Sequence, residues 1–220
     1  MTRRISGLLL LCVLLAGCAT ASRIAGRSPE RIAERVTISD PRQDGEVTIS
    51  GRQIDTYKVL VGPSTYWIRS WKNLETGAVR HQLVVAMRYE KQEAHEFKFV
   101  RLGTQETNRV EVIASSSQCR SESPIEISRQ YEDNYGLDLP SHRNVRETCT
   151  FREIVGVALE DGYLEDHSDT GFQASLTALT GVQMTVTVPA SYIQAQFLAI
   201  RGRAEQAEIE RPAVELEEVQ

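Results

Sequence analysis

Cysteine, histidine and tryptophan are the side chains here whose spacing could carry chemistry. The chain of 220 residues has four Cys, four His and two Trp. The cysteines stand at 12, 18, 119 and 149, with no Cys-x-x-Cys pair, so neither a redox dithiol nor a zinc knuckle is written into the chain. The histidines, His81, His95, His142 and His167, are scattered. His95-Glu96 begins like a zinc-protease helix, but Phe99 holds the second His position and the segment alternates like a strand. Ser64, within Gly62-Pro63-Ser64-Thr65-Tyr66, lacks the second glycine of a nucleophile elbow. Glycine-rich phosphate loops and dinucleotide fingerprints are absent, and nothing in the sequence calls for a cofactor or a metal. Glu160, Asp161, Glu165, Asp166, His167 and Asp169 form the densest group of potential ligands. Their order is not that of a calcium loop, and they read as a solvated face.

One cluster stands out. Tyr66, Trp67 and Trp71 lie close to Arg69 and Lys72. In an extended strand Trp67, Arg69 and Trp71 share one face. Exposed indoles beside guanidiniums stack on sugars or clasp anionic polymers, which makes these three the candidate binding residues. The competing reading is core or edge packing, with Arg69 laid on an indole.

The first residues carry a different message. Arg3 and Arg4 precede an apolar stretch over residues 5–15, which ends in Leu15-Ala16-Gly17-Cys18. A basic start, an apolar middle and a small-residue end are the layout of a secretory signal. The stretch is shorter than the roughly 20 apolar residues of an ordinary membrane span. Leu15-Ala16-Gly17-Cys18 resembles the lipobox of bacterial lipoprotein precursors: an aliphatic residue, two small ones and an obligatory Cys. The resemblance covers only the first 18 residues. It implies cleavage before Cys18, acylation of the Cys18 thiol and of the new amine, and a membrane as the first partner. Each buried CH₂ contributes about 0.8 kcal/mol, so several acyl chains hold effectively permanently. In that family an Asp after the Cys favours the inner membrane. Ala19 stands there instead, so the resemblance implies the outer membrane and its periplasmic face.

Export also governs the remaining cysteines. With Cys18 lipidated, Cys119 and Cys149 are left in an oxidising compartment and are expected to form a disulfide. A reactive or metal-binding pair is the alternative. The net charge is −5 for the whole chain, and loss of Arg3 and Arg4 leaves −7. Most of that charge sits beyond residue 203, where six Glu face only Arg211. No basic surplus points to nucleic acid.

The elements that position these residues read mainly as strands. Period-two alternation begins after Val36: Val47 and Ile49; His81, Leu83, Val85, Met87 and Tyr89; Phe97 and Phe99; Val110, Val112 and Ala114; Phe172, Ala174, Leu176 and Ala178; Val182, Met184, Val186 and Val188. Short turn-rich breaks between the runs predict an antiparallel meander, as an open sheet, a sandwich or a partly open barrel. Pro189 opens a C-terminal helix carrying Ile193, Phe197 and Ile200, expected to end at Gly202. The expected organisation is a signal over 1–17, a lipidated tether over 18–35, one β-rich domain over 36–203 and an acidic disordered tail over 204–220. Residues 120–146 read as a long polar loop pinned by the disulfide.

Two functions fit this reading. The first is a non-catalytic, lipid-anchored envelope domain that binds or scaffolds an envelope protein or glycan. The second is a periplasmic hydrolase using His142 or His167 with nearby carboxylates. A small-ligand carrier is a third, weaker option.

Overall fold

A computed structural model describes residues 24, 26–43, 45–58, 61–104, 108–121 and 147–209. The chain order is α1 (Pro29–Ala33), β1 (Thr37–Ile38), β2 (Glu46–Ser50), β3 (Ile54–Lys58), β4 (Gly62–Asn73), β5 (Val79–Lys91), β6 (Phe97–Leu102), β7 (Asn108–Arg109), β8 (Glu111–Ser121), β9 (Glu147–Leu159), α2 (Tyr163–Asp166), β10 (Phe172–Ala178), β11 (Gln183–Val188) and α3 (Ala190–Ile209). The strands form two open sheets. The larger has seven strands in the order β1-β2-β4-β5-β9-β8, with β3 also on β4; the smaller has four, β11-β10-β6-β7. The pairings are antiparallel throughout the described residues. The fold is therefore mainly β, without a closed barrel, and with one C-terminal helix.

Alternation decides which side chains meet between the sheets. Tyr66 and Ile68 of β4, Leu83, Val85 and Met87 of β5 and Val155 and Val157 of β9 point inward. They share one core with Val100 and Leu102 of β6, Ala174 and Leu176 of β10, and Met184, Val186 and Val188 of β11. The Tyr66 hydroxyl crosses this core to donate to the Thr187 carbonyl at 2.6 Å. On its outer side the smaller sheet is polar, and Ser175 and Thr185 hydrogen-bond across the β10–β11 pair.

α3 covers the rest of the inner face, and its seat is built by a break in a strand. β2 and β3 lie end to end along the same edge of β4, separated by Gly51, Arg52 and Gln53. At that break the Tyr192 hydroxyl donates to the Arg52 carbonyl at 2.6 Å and accepts from the Ile68 amide at 3.3 Å. The Gln196 amide donates to the Ile49 carbonyl at 3.0 Å and to Ser70 at 2.9 Å. A Cβ on Gly51 would stand 2.5 Å from the Tyr192 hydroxyl and 2.9 Å from the Gln196 side-chain oxygen. Only glycine lets the helix come this close.

Three stretches differ from the sequence reading. α3 continues through Gly202 to Ile209, because the Ala, Glu and Gln that follow outweigh one interior glycine, which costs about 1 kcal/mol. The acidic segment thus begins within a helix; residues 210–220 lie outside the described residues. Within the expected tether, Ile24 and Ile32 are buried in the main core instead of solvated, while the short helix Pro29–Ala33 begins where Ser28-Pro29-Glu30 reads as a helix start. The alternation through Val112 is broken by a register shift between Val112 and Ala114, which leaves Val112 exposed.

Cys119 and Cys149 form the disulfide, as directly opposed residues of β8 and β9 with Cα atoms 3.9 Å apart. The two strands continue past it to Ser121 and Glu147. The cross-link therefore sits inside the ladder: Arg120 and Ser121, expected in the loop, extend β8, and residues 122–146 lie outside the described residues. For a separation of 30 residues, the lost entropy of the unfolded chain corresponds to about 3–4 kcal/mol.

The seat of α3 is testable. Gly51→Ala is expected to lower stability by about 1–3 kcal/mol through overpacking, read as a lower urea midpoint at unchanged slope. An unchanged midpoint would mean that the helix can back away from the break.

Candidate functional site

Both the smaller sheet and α3 lie on one side of the larger sheet. Among the described residues its other face is uncovered, and the parity of β4 places Thr65, Trp67, Arg69 and Trp71 there. All four are half-buried. The three candidate binding residues thus share one face, outside the core.

Their geometry is fixed by a ladder that crosses the sheet. The guanidiniums of Arg69 and Arg80 each lie 4.6 Å from the centre of the Trp71 ring. Arg80 is held from its other side by both carboxylate oxygens of Glu46, at 2.9 and 3.1 Å. Arg69 donates to the side-chain oxygen of Gln82, whose amide donates to Glu111 at 2.8 Å. Gln82 reaches Glu111 on β8 by lying across β9, and Gly156 is the residue beneath it. A Cβ there would stand 2.3 Å from the Gln82 nitrogen. Burial pulls the Arg69 pKa down, against the opposing pull of Glu111, yet a guanidinium remains charged.

Trp71 is therefore engaged by two cations, and the packing reading holds for it. Trp67 is different. Its cross-strand partner is Val84, which is fully buried although it belongs to the outer face. No ring stacking or cation contact engages the Trp67 indole among the described residues. The site thus offers one half-exposed indole beside a braced row of charges. That arrangement stacks and hydrogen-bonds; it holds no nucleophile–base pair.

A second polar cluster is buried between the sheets. Glu153 of β9 is 6% exposed. Its carboxylate accepts from the Tyr89 hydroxyl, from the Glu96 amide at 3.1 Å and from the Phe97 amide at 3.3 Å. The His95 amide donates to the Tyr89 oxygen at 2.7 Å, and the His95 ring lies tilted against Tyr89 with centroids 4.4 Å apart. Burial first, and then the bond to Glu153, push the Tyr89 pKa well up. Glu96, with φ of 54°, is the non-glycine residue of positive φ among the described residues. Such a conformation costs on the order of 1–3 kcal/mol and persists only where its surroundings hold it. The carboxylate of Glu153 is what holds it.

The histidines take structural places. His81 is buried, with Nδ1 2.8 Å from the Ser70 hydroxyl. In His95, Nδ1 lies 3.1 Å from the Thr180 hydroxyl. His167 closes α2, with Nδ1 2.8 Å from the Tyr163 carbonyl and its ring stacked on Tyr163 at 4.2 Å. Among the described residues no carboxylate lies within 4.0 Å of the His167 ring. His142 lies outside the described residues. No group of three or more His, Cys, Asp or Glu is placed to hold a metal among the described residues. Cys18 also lies outside them.

Sequence reasoning singled out Trp67, Arg69 and Trp71 but not their supports. Arg80 and Gln82 share one parity in β5, opposite to that of His81 and Leu83. Gly156, inside the apolar run from Ile154 to Leu159, is the signal that could have exposed the Gln82 crossing. A glycine in a strand interior often marks a close approach. Glu153 shares its parity with Val155 and Val157, which was the available sign of a buried carboxylate.

Two outcomes test these assignments. Glu153→Gln replaces a charged acceptor and should lower stability by about 2–4 kcal/mol in chemical denaturation; a near-native midpoint would make the clamp a bystander. Burial lowers the His81 pKa, against Glu165 and Asp161, which raise it. Its contribution is complete above the unfolded value of about 6.5. It falls as pH drops below that value, because the unfolded chain takes up a proton that the fold resists. The unfolding midpoint should decline from about pH 7.5 to 5.5, and His81→Gln should remove that part of the decline.

No protein-family model matches the chain, and no curated protein matches it in sequence, so the functional reading rests on the residues and the geometry above.

Proposed function

We propose that the chain is a lipid-anchored protein of the bacterial cell envelope whose domain binds or scaffolds another envelope component without catalysing a reaction. The observation that carries the binding half is the face left uncovered among the described residues, with its half-buried Trp67 beside Arg69 and Trp71 in a braced ladder. A site held in place by cross-strand bonds loses little freedom on binding, which favours affinity. Indole and guanidinium together suit a sugar ring or an envelope protein rather than a reacting bond. The anchoring half rests on Leu15-Ala16-Gly17-Cys18 and on the lipobox it resembles. Ala19 favours the outer membrane, with the domain on the periplasmic side. The disulfide between Cys119 and Cys149 suits an oxidising compartment.

One experiment addresses both halves. Cys18→Ser should abolish labelling by palmitate and move the chain from the membrane to the soluble fraction. Cross-linked envelopes should yield a defined partner or glycan with the natural chain. Trp67→Ala should lower that recovery roughly 30-fold, the loss of a binding hot spot of about 2 kcal/mol, at near-native melting temperature. Persistent labelling would sink the anchor; recovery equal to that of Trp67→Ala would sink the binding face.

A further inference from the structure

Farther along the same open face, Arg88 of β5 and Arg152 of β9 are directly opposed cross-strand partners. Both are exposed, and among the described residues neither has a carboxylate within 4.0 Å. Like charges placed opposite each other destabilise an antiparallel pair. Two other arginines of this face are engaged: Arg80 is paired with Glu46, and Arg69 reaches Gln82, whereas Arg120 of β8, also exposed, stands opposite Thr148. Two guanidiniums are thus left facing one another where packing did not require them.

Their surroundings are built of donors. Ser116 of β8 is the cross-strand partner of Arg152, and Gln118 and Thr150 form the next pair along the same ladder. With Thr65 of β4 these side chains line a groove of about 740 Å³ that includes both arginines. Asp55 also lines it, from β3, and makes no ion pair with either guanidinium among the described residues. Glu90, two residues beyond Arg88 on the same face, stands opposite Thr150 and forms no ion pair with either arginine among the described residues.

Paired guanidiniums with flanking hydroxyls are the donor set of an oxyanion site, since each fork offers two parallel N–H groups to one group of oxygens. We infer that Arg88 and Arg152, with Ser116 and Gln118, bind an oxyanion group of the phosphate or carboxylate type. The site uses neither the lipid anchor nor the Trp67 indole, so it stands or falls apart from the proposed function.

The test is thermal unfolding of the full chain in detergent, titrated with inorganic phosphate against sodium chloride of equal ionic strength, with acetate as the carboxylate arm. Phosphate or acetate should raise the melting temperature saturably in the natural chain. Arg88→Gln and Arg152→Gln should each weaken that response at least tenfold, and Arg101→Gln, on the smaller sheet, should leave it intact. Without added anion, Arg152→Gln should melt no lower than the natural chain, because it removes a repulsion. A saturable response to acetate alone would assign a carboxylate ligand. No saturable response beyond chloride, or a response retained in both variants, would overturn the site. So would a much lower melting temperature of both variants without anion, which would make the pair structural.

Discussion

One inward carboxylate joins the two sheets. Glu153 stands in β9 of the larger sheet, and two of its three hydrogen bonds go to the backbone at the start of β6 in the smaller one. The third goes to Tyr89 of β5, so the carboxylate ties the end of β5 to the start of β6 across the turn between them. A buried carboxylate is tolerated only when hydrogen bonds replace its water. Here that requirement is met by the Tyr89 hydroxyl and the amides of Glu96 and Phe97, with Glu96 in its left-handed conformation. Charge burial, the turn and the placement of the second sheet are therefore one problem with one solution.

With the smaller sheet pinned at one end, the other end of the inner face is filled by α3. The break between β2 and β3 receives Tyr192 and Gln196, and the Gln196 bond to Ser70 continues to His81. Both coverings act on the same side. Among the described residues the seven-stranded sheet consequently has a packed face and an open one, and the open face is organised by polar bonds instead of by packing. That asymmetry is what allows residues such as Trp67, Arg88 and Arg152 to be held on rigid strands and still meet solvent.

Much of this was legible from alternation alone. The inward sets of β5, β10 and β11 follow period two without interruption, and parity correctly groups Trp67, Arg69 and Trp71. Parity could not tell which face would be covered, because β4 carries large rings on both: Tyr66 inward, Trp67 and Trp71 outward. Nor could it find Arg88 opposite Arg152, since β5 and β9 lie far apart in sequence and no local pattern sets the register between them. Glu153 reads as polar noise in an apolar strand until its partners, more than fifty residues away in sequence, are known. The end of α3 was misjudged for a different reason: one glycine weighs less than the helix formers after it.

The burial of Ile24 has a mechanical consequence. Its carbonyl accepts from Ser191 in the first turn of α3, at 3.3 Å, so the chain is fastened to the domain from that point on. Six Cα–Cα steps, with five residues between, separate it from Cys18. Fully extended, they span at most about 21 Å, less than the width of a domain of this size. With a lipid at Cys18 this is a short leash. The start of α3 would stay near the bilayer, the domain could swivel but not roam, and whatever meets its open face would have to come within one domain's breadth of the membrane.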